Sequence, residues 1–225
     1  MQLFPRFLIL TFFALNIIAD ADWPKFRGPS GEGIWECPNL PLKLDQTKKI
    51  WKKEIGGGYS GITISGDKVF TMDRPSKKNK ERVLCYSAKD GNLIWTHEYD
   101  ANYSGLSYDS GPRASVTIKD GKVFSFGSIG HMYCLNETDG KVIWKHDSRE
   151  SFGAKRPTWG FASSPAIWKD LIIYQIGGSS GGYVALNPNT GQRIWSSSDD
   201  PAGYAMPVFV QHAGQELMLA WTPEN

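Results

Sequence analysis

The amino-acid sequence predicts an all-β protein of the β-propeller class, built from four-stranded blades. Three observations predict it. A Gly-x-x-x-Trp unit occurs three times, and its Trp recurs after 49 and then 51 residues, at Trp95, Trp144 and Trp195. A second hairpin pattern precedes each unit, and no helical periodicity of any length follows the first 21 residues. Four-stranded sheets repeated radially with a period of about 40–50 residues make a propeller.

Each unit has the pattern of a β-hairpin with a glycine in its turn. A glycine stands four residues before each Trp, at Gly91, Gly140 and Gly191. The residue before it is Asp in the first two units and Thr in the third. Such a turn needs a positive φ, which glycine adopts without steric cost. A Trp at a fixed distance from that turn can bury about 150–250 Å² against a neighbouring sheet. We therefore expect the repeated Trp to hold adjacent blades together.

A second hairpin lies upstream of each unit. The segments 62–70, 115–126 and 165–174 each show short β-branched or aromatic strands around a polar turn. Each period therefore contains two hairpins, which is the four strands of one blade.

The two ends of the repeat region differ from its middle. Trp51 fits the last strand of a blade that has no hairpin before it, and residues 206–221 begin a further blade that lacks a Gly-x-x-x-Trp before Asn225. We expect residues 49–225 to hold about three complete blades and partial first and last blades. The pattern also predicts ring closure through the N-terminal strand, and a C-terminally truncated sequence that holds about half of a seven- or eight-bladed propeller.

The first 21 residues have the pattern of a secretory signal peptide. Arg6 precedes an apolar run over 7–19, and Ala19 and Ala21 are the small residues that a signal peptidase reads. We expect cleavage after Ala21 and a periplasmic or secreted protein without a membrane span. An uncleaved anchor helix is the alternative, although the run is shorter than the ~20 residues that span a bilayer. Residues 22–48 form a lead-in segment.

Charge and motifs exclude several classes of function. The net charge is +2, and both signs are mixed along the chain, so no basic stripe indicates nucleic-acid binding. The charged run over 77–82 is interpreted as a solvated loop between two strands. The four histidines lack metal-ligand spacing, and His131 and His146 are expected at turns or on the surface. No catalytic motif is present, so neither a catalytic nor a metal site is predicted.

The repeat resembles the pyrroloquinoline-quinone (PQQ) repeat. The family pattern is Ala-x-Asp-x-x-Thr-Gly-x-x-x-Trp, and residues 185–195 nearly reproduce it, with Asn187 in place of Asp. The other two repeats carry Cys85 and Cys134 at the Ala position. Four further segments add to the resemblance: 23–29, 111–115, 159–165 and 200–204. The chain is similar to the exported PQQ-like propellers of planctomycetes and related bacteria, and to the propeller subunit of the outer-membrane β-barrel assembly machine.

The resemblance implies two kinds of function. The assembly-machine subunit is a protein-binding scaffold, which favours a non-catalytic binding propeller with no evident cofactor. Quinoprotein dehydrogenases carry two adjacent cysteines against the quinone and hold calcium with carboxylate and amide ligands. The sequence has no Cys-Cys pair and no recognisable acidic cluster. The alternative is a PQQ- and calcium-dependent alcohol or sugar dehydrogenase whose catalytic residues lie outside this sequence.

The loops that lead into the first strand of each blade are the candidate binding region. Innermost strands line the channel of a propeller, so these loops surround one of its mouths. Arg113 could bind a carboxylate or phosphate bidentately there. The aromatic residues predicted to wall the pocket are Tyr59, Trp159, Phe161 and Tyr204. Other exported proteins or glycans are the expected partners. In the structural alternative, the small residues shape tight loops and the aromatic rings wedge adjacent blades.

The three cysteines do not suggest a disulfide framework. Cys85 and Cys134 occupy a position that accepts Ala, so we expect both to be buried and inert, with a disulfide or metal pair as the alternative. Cys37 lies in the lead-in segment, and its state is left open.

Overall fold

The computed structural model describes residues 22–35, 43, 45, 47–76, 78–179, 181–197 and 199–223. The predicted signal peptide over 1–21 and Cys37 lie outside the described residues. The described chain contains fourteen strands and one short helix, so the predicted all-β class is confirmed. Among the residues described, no helix is both long and apolar enough to cross a membrane.

The strands form three four-stranded antiparallel sheets and one two-stranded sheet, each in sequence order. Blade 1 contains β1 (Thr63–Ser65), β2 (Lys68–Asp73), β3 (Lys80–Ser87) and β4 (Leu93–Asp100). Blade 2 contains β5 (Thr117–Lys119), β6 (Lys122–Phe126), β7 (His131–Asn136) and β8 (Val142–Asp147), followed by α1 (Ser148–Phe152). Blade 3 contains β9 (Ala166–Trp168), β10 (Leu171–Gln175), β11 (Tyr183–Leu186) and β12 (Arg193–Ser197). The last hairpin contains β13 (Val208–His212) and β14 (Gln215–Leu219).

The register of the third and fourth strands is the same in all three blades. The Trp of each repeat lies opposite the residue at the small position, as in the pair Cys85 and Trp95, and the register shifts immediately afterwards. The glycine of each turn has a φ near +70°. The equal spacing of glycine and Trp therefore produces the same hairpin, with the same bulge, in every blade.

Trp51, Trp95 and Trp144 each dock on the turn of the following blade. The Trp95 indole N–H donates to the Glu137 carbonyl at 3.0 Å, and a Cβ added to Gly140 would lie 2.6 Å from the Trp95 ring. The turn glycine is therefore required both by its positive φ and by the Trp that covers it. Two other pairs repeat this contact: Trp144 with Pro188 and Gly191, and Trp51 with Ala88 and Gly91.

Trp51 and Trp195 lie at the two ends of the described repeats. Trp51 lies in a segment with no strand partner among the described residues, yet it makes the same contact as the Trp of a complete repeat. Trp195 is half-buried and packs in the cluster between blade 3 and the last hairpin.

Three apolar clusters lie between consecutive sheets. The first is shared by blades 1 and 2, the second by blades 2 and 3, and the third by blade 3 and the last hairpin. Cys85 and Cys134 are free and fully buried in the first two clusters. Blades 2 and 3 therefore bury both faces against their neighbours, as blades of a propeller do.

The first residues of the lead-in segment lie against the innermost strands. Trp23 forms an isolated antiparallel bridge with Ile64, through which it hydrogen-bonds the free edge of β1. The carbonyl of Pro24 then accepts from the Ile118 N–H of β5 at 2.7 Å. Residues 22–24 therefore satisfy backbone groups that would otherwise be unpaired edges on the channel side.

The charged run over 77–82 was expected to be a solvated loop, and this expectation is wrong for its last three residues. Lys80, Glu81 and Arg82 begin β3, and Glu81 is fully buried. Strand alternation sends the Glu81 side chain inward, where hydroxyl groups from later in the chain hydrogen-bond to it. His131 and His146 were expected at turns or on the surface, but they lie in β7 and β8 with half-buried rings.

Candidate functional site

Four loops that precede the innermost strands bring exposed aromatic side chains together. Tyr59, Tyr108, Trp159 and Arg113 line a cavity of about 320 Å³. The Tyr204 ring continues this surface, since its centroid lies 5.2 Å from that of Trp159. We call the four rings of Tyr59, Tyr108, Trp159 and Tyr204 the aromatic mouth.

The rings of the aromatic mouth meet at two different angles. Trp159 and Tyr204 are inclined by 31° with ring centroids 5.2 Å apart, so the Tyr204 ring partly overlaps the Trp159 ring. Tyr108 stands at 78° to Trp159, with ring centroids 6.2 Å apart, and forms a wall beside Trp159. The arrangement is a corner that can receive a flat group on one face and along one edge.

Arg113 lies behind the aromatic mouth and holds the loop that carries Tyr108. Its guanidinium donates to the carbonyls of Gly111 (2.8 Å), Ser107 (3.0 Å) and Tyr108, and to the Ser128 hydroxyl at 3.1 Å. The guanidinium carbon also lies 5.5 Å from the Tyr59 ring centroid. Burial lowers the pKa of Arg113, since desolvation disfavours the charged form.

These contacts decide what Arg113 can do. Both terminal nitrogens are occupied by neutral acceptors of the same chain, and bidentate recognition of a carboxylate needs two free parallel N–H groups. In this geometry Arg113 positions the loop over 107–111, and the rings it supports are the surface that a ligand meets.

A buried carboxylate anchors the same network from below. Glu81 accepts from the hydroxyls of Tyr99 (2.7 Å) and Tyr103, and from the Ser128 N–H at 3.0 Å. The pKa of Tyr103 is raised by burial and by the charge of Glu81. Because Ser128 contacts both Glu81 and Arg113, the polar network runs from the core between blades 1 and 2 to the mouth.

The structure places Phe161 away from the pocket it was predicted to line. Its side chain is 1% exposed and packs on Phe126, with ring centroids 4.7 Å apart. Phe161 N–H donates to the Ser128 carbonyl at 2.9 Å, which turns the side chain inward while Trp159 stays outside. Phe161 therefore belongs to the core between blades 2 and 3, as the structural alternative described.

Tyr108 belongs to the mouth but was not identified from the sequence. It lies in the loop between blades 1 and 2, is 70% exposed, and has a φ of 54°. A positive φ is strained for an aromatic residue, and the Arg113 guanidinium stabilises it by binding the Tyr108 carbonyl. The nearby Asp109 and Gly111 indicated a turn in the sequence, but not the direction of this side chain.

The other polar side chains do not form a metal or redox centre in the described part of the chain. No group of three or more His, Cys, Asp or Glu side chains lies close enough there to hold a metal ion. Burial raises the pKa of both the Cys85 and Cys134 thiols to about 12. A thiol with so high a pKa is a poor nucleophile and a poor metal ligand at neutral pH.

Comparison with known proteins places the repeat in one family. Residues 29–218 match the family model described as outer membrane protein assembly factor BamB, whose repeat is the PQQ repeat. The match extends over all three complete blades and most of the last hairpin.

Individual relatives include enzymes and an assembly factor. The chain is 26% identical over 160 residues to quinohemoprotein alcohol dehydrogenase ADH-IIG of Pseudomonas putida, covering 60% of this chain and 22% of that protein. It is 25% identical over 155 residues to outer membrane protein assembly factor BamB of Shewanella oneidensis, covering 64% of this chain and 35% of that protein. The chain therefore spans between a fifth and about a third of the length of these curated relatives.

A solved structure supports the fold. The crystal structure of quinohemoprotein alcohol dehydrogenase from Comamonas testosteroni matches with a TM-score of 0.62 at 21% sequence identity. The match covers 78% of this chain and 27% of that chain. At this level of identity the likeness concerns the arrangement of the blades.

Proposed function

Because the chain belongs to the PQQ-repeat family described as outer membrane protein assembly factor BamB, we propose that it is an exported, non-catalytic binding propeller. It acts as a scaffold that presents the aromatic mouth to a partner. The observation that carries this proposal is the convergence of four exposed rings on a network of buried polar contacts. Rigid, amphipathic rings held by a fixed scaffold are the side chains that dominate binding surfaces.

The chemistry around the mouth supports binding over catalysis. Arg113 donates to acceptors of its own chain, and both described cysteines are buried thiols with a raised pKa. Other groups at the mouth are phenol hydroxyls and the Ser110 hydroxyl, which Tyr59 contacts at 3.3 Å. These groups can hydrogen-bond a ligand.

The expected partners are other exported proteins or glycans. One relative is named as an assembly factor of outer membrane proteins, which favours a partner in the bacterial envelope. The signal-peptide pattern over 1–21 supports a mature chain in the periplasm or outside the cell.

A PQQ- and calcium-dependent alcohol or sugar dehydrogenase is the second candidate, and the match to ADH-IIG favours it. The residues described here do not fit the cofactor pair. Calcium takes six to eight oxygen ligands, and the described residues offer no group of three or more His, Cys, Asp or Glu side chains that could hold a metal ion. Arg113 has no pair of free parallel N–H groups for a quinone carboxylate. We therefore derive no catalytic step from this chain.

Calorimetric titration of PQQ into the full chain, with calcium and then with EDTA, separates the two functions. The binding propeller predicts no calcium-dependent heat from PQQ. Tight binding of PQQ that EDTA abolishes would overturn the proposal and establish the dehydrogenase reading. Affinity capture from an envelope extract, with a Trp159→Ala chain as the matched control, then tests whether partners are retained through the mouth.

A further inference from the structure

The four rings of the aromatic mouth are exposed to solvent together on one surface. Tyr108 is 70% exposed, Tyr59 54%, Trp159 48% and Tyr204 39%. Large aromatic side chains that cluster on a surface mark binding sites, whereas isolated exposed ones are normal. Three of the four rings are phenols, so the surface joins apolar faces to neutral hydroxyl groups.

The angles between the rings select the shape of the ligand. Trp159, which Tyr204 partly overlaps, forms a floor, and Tyr108 forms a wall at 78° to Trp159. A single six-membered ring can lie on this floor with one edge against the wall. A polyproline helix, by contrast, docks in a groove between aromatic ridges, which a perpendicular pair does not provide.

The charges around the mouth select a neutral ligand. Arg113 donates to three carbonyls and one hydroxyl of its own chain. The nearest acid on the loop, Asp109, is paired with Arg74 at 3.1 Å. Both of these charged groups already have partners within the chain, so a neutral ligand fits the mouth without displacing either contact.

We propose that the aromatic mouth binds a neutral, β-linked sugar chain of gluco or xylo configuration. This inference rests on the proposed function of the propeller as a binding protein. Such rings carry all their hydroxyls equatorially, so the axial C–H groups form a flat apolar face that suits the negative face of an aromatic ring. Their hydroxyls point outward around the ring edge, where Tyr59, Tyr108 and Ser110 supply neutral hydrogen-bonding partners.

The test is calorimetric titration of cellohexaose and xylohexaose into the full chain. We expect at least one of them to bind. Trp159→Ala, which removes the floor, should weaken that binding at least about tenfold. Tyr108→Ala should weaken it as well, and because this side chain is largely exposed the variant keeps its fold. Trp221→Ala is the matched control, since this Trp is 73% exposed outside the mouth, and it should bind like the parent chain.

Three results would overturn the inference, and they separate it from the proposed function. Binding of neither hexasaccharide overturns it, and retention of a proline decapeptide or an envelope protein through Trp159 would then leave the binding propeller standing. Sugar binding that survives both Trp159→Ala and Tyr108→Ala overturns the assigned site. Calcium-dependent PQQ binding without sugar binding overturns both the inference and the proposed function.

Discussion

The interface between blades 1 and 2 and the interface between blades 2 and 3 are built from the same repeat but filled differently. Both contain the docked Trp over a turn glycine, Trp95 on Gly140 in the first and Trp144 on Gly191 in the second. The first interface also buries a carboxylate, Glu81, under two tyrosines. The second is filled by aromatic rings, and its members are Phe126, Phe161 and Tyr174.

The strand register explains this difference. Cys85 and Cys134 occupy equivalent positions, so Glu81 of blade 1 corresponds to Gly130 of blade 2. Space for Glu81 exists because Gly127 lies opposite, where an added Cβ would come within 2.1 Å of the carboxylate. The counterpart of Gly127 in blade 3 is the buried Ile176. In the first interface, Glu81 faces Gly127. In the second, the equivalent positions are Gly130 and Ile176, so neither position holds a carboxylate.

The same contact between Trp and glycine therefore occurs in two interfaces that differ in the rest of their composition and in function. Ser128 links Glu81 to Arg113, and Arg113 holds the loop that carries Tyr108. The polar interface therefore supports the aromatic mouth as well as packing two blades. The apolar interface contributes packing, so variants in the two interfaces should differ in what they weaken.

Glu81→Ala should have the largest effect. It leaves the hydroxyls of Tyr99 and Tyr103 and the Ser128 N–H buried without their acceptor, which should lower the free energy of unfolding by about 4 kcal/mol or more. Urea denaturation measures the loss. Glu98→Ala is the matched control, because Glu98 forms an exposed ion pair with Lys80 and should change stability by about 0.5 kcal/mol or less. Equal losses in the two variants would show that the buried carboxylate does not hold the interface.

Phe161→Ala should be next, with a loss of about 3 kcal/mol in the free energy of unfolding. The cause is the cavity left beside Phe126 and the apolar area returned to water. Phe161→Leu should recover part of the loss, since it keeps most of the buried volume. If Phe161→Ala instead left stability unchanged and weakened ligand binding, Phe161 would line the site and the core assignment would be wrong.

Gly140→Ala and Gly191→Ala should cost about 2–3 kcal/mol each, with similar values in the two interfaces. Each adds a Cβ within 3 Å of a docked Trp ring and forces a non-glycine residue to a φ of +70°. Gly121→Ala isolates the backbone contribution, because Gly121 has the same φ of +70° with nothing within 4 Å of its added Cβ. Its cost should be about 1 kcal/mol. Equal costs for Gly121 and Gly140 would remove the role of the Trp contact.

Acidification should have the smallest effect and should act through the polar interface. Burial lowers the pKa of His97 and His131 below the ordinary value of 6.5. The unfolded chain therefore takes up these protons more readily, and the stability that the neutral rings contribute is lost as the pH falls below about 6.5. Around them lie the rings of Tyr99 and Tyr133, with Lys145 near His97 and Asp147 and Arg149 near His131.

Urea midpoints at pH 7.5, 6.5 and 5.5 measure this dependence. His97→Gln and His131→Gln should each flatten the fall between pH 6.5 and 5.5, whereas the exposed His212→Gln should leave it unchanged. If the urea midpoint fell with pH as steeply in His97→Gln and His131→Gln as in the parent chain, the pH dependence would not arise from this interface.

The fold could be predicted from the sequence because its determinants are local. The turn glycine, the Trp four residues later and the alternation of the hairpins are set within about ten residues of one another, and the three repeats agree. Burial of the cysteines followed from the same register, since the third repeat carries Ala185 at their position. The lead-in segment and the mouth loops could be placed only roughly, because they lack a repeat against which to align.

The candidate site was predicted in part. Tyr59, Trp159 and Arg113 were predicted to lie together because their loops precede innermost strands. In the structure these three residues line one cavity. Phe161 was assigned to the wrong side, because it lies two positions after Trp159 and the irregular backbone between them breaks strand alternation. Tyr108 lies in a loop with no counterpart in the other repeats.

The class of fold, the blade hairpins and the repeated Trp follow from local sequence alone, since turn chemistry and period-two alternation act between near neighbours. Packing in three dimensions buries Glu81, binds Arg113 to its own loop and leaves Tyr108 facing solvent. Each of these depends on groups from different blades or loops, such as the Ser128 contact shared by Glu81 and Arg113. Pairings of that kind leave no local pattern, because the energy that selects them arises only when the blades pack.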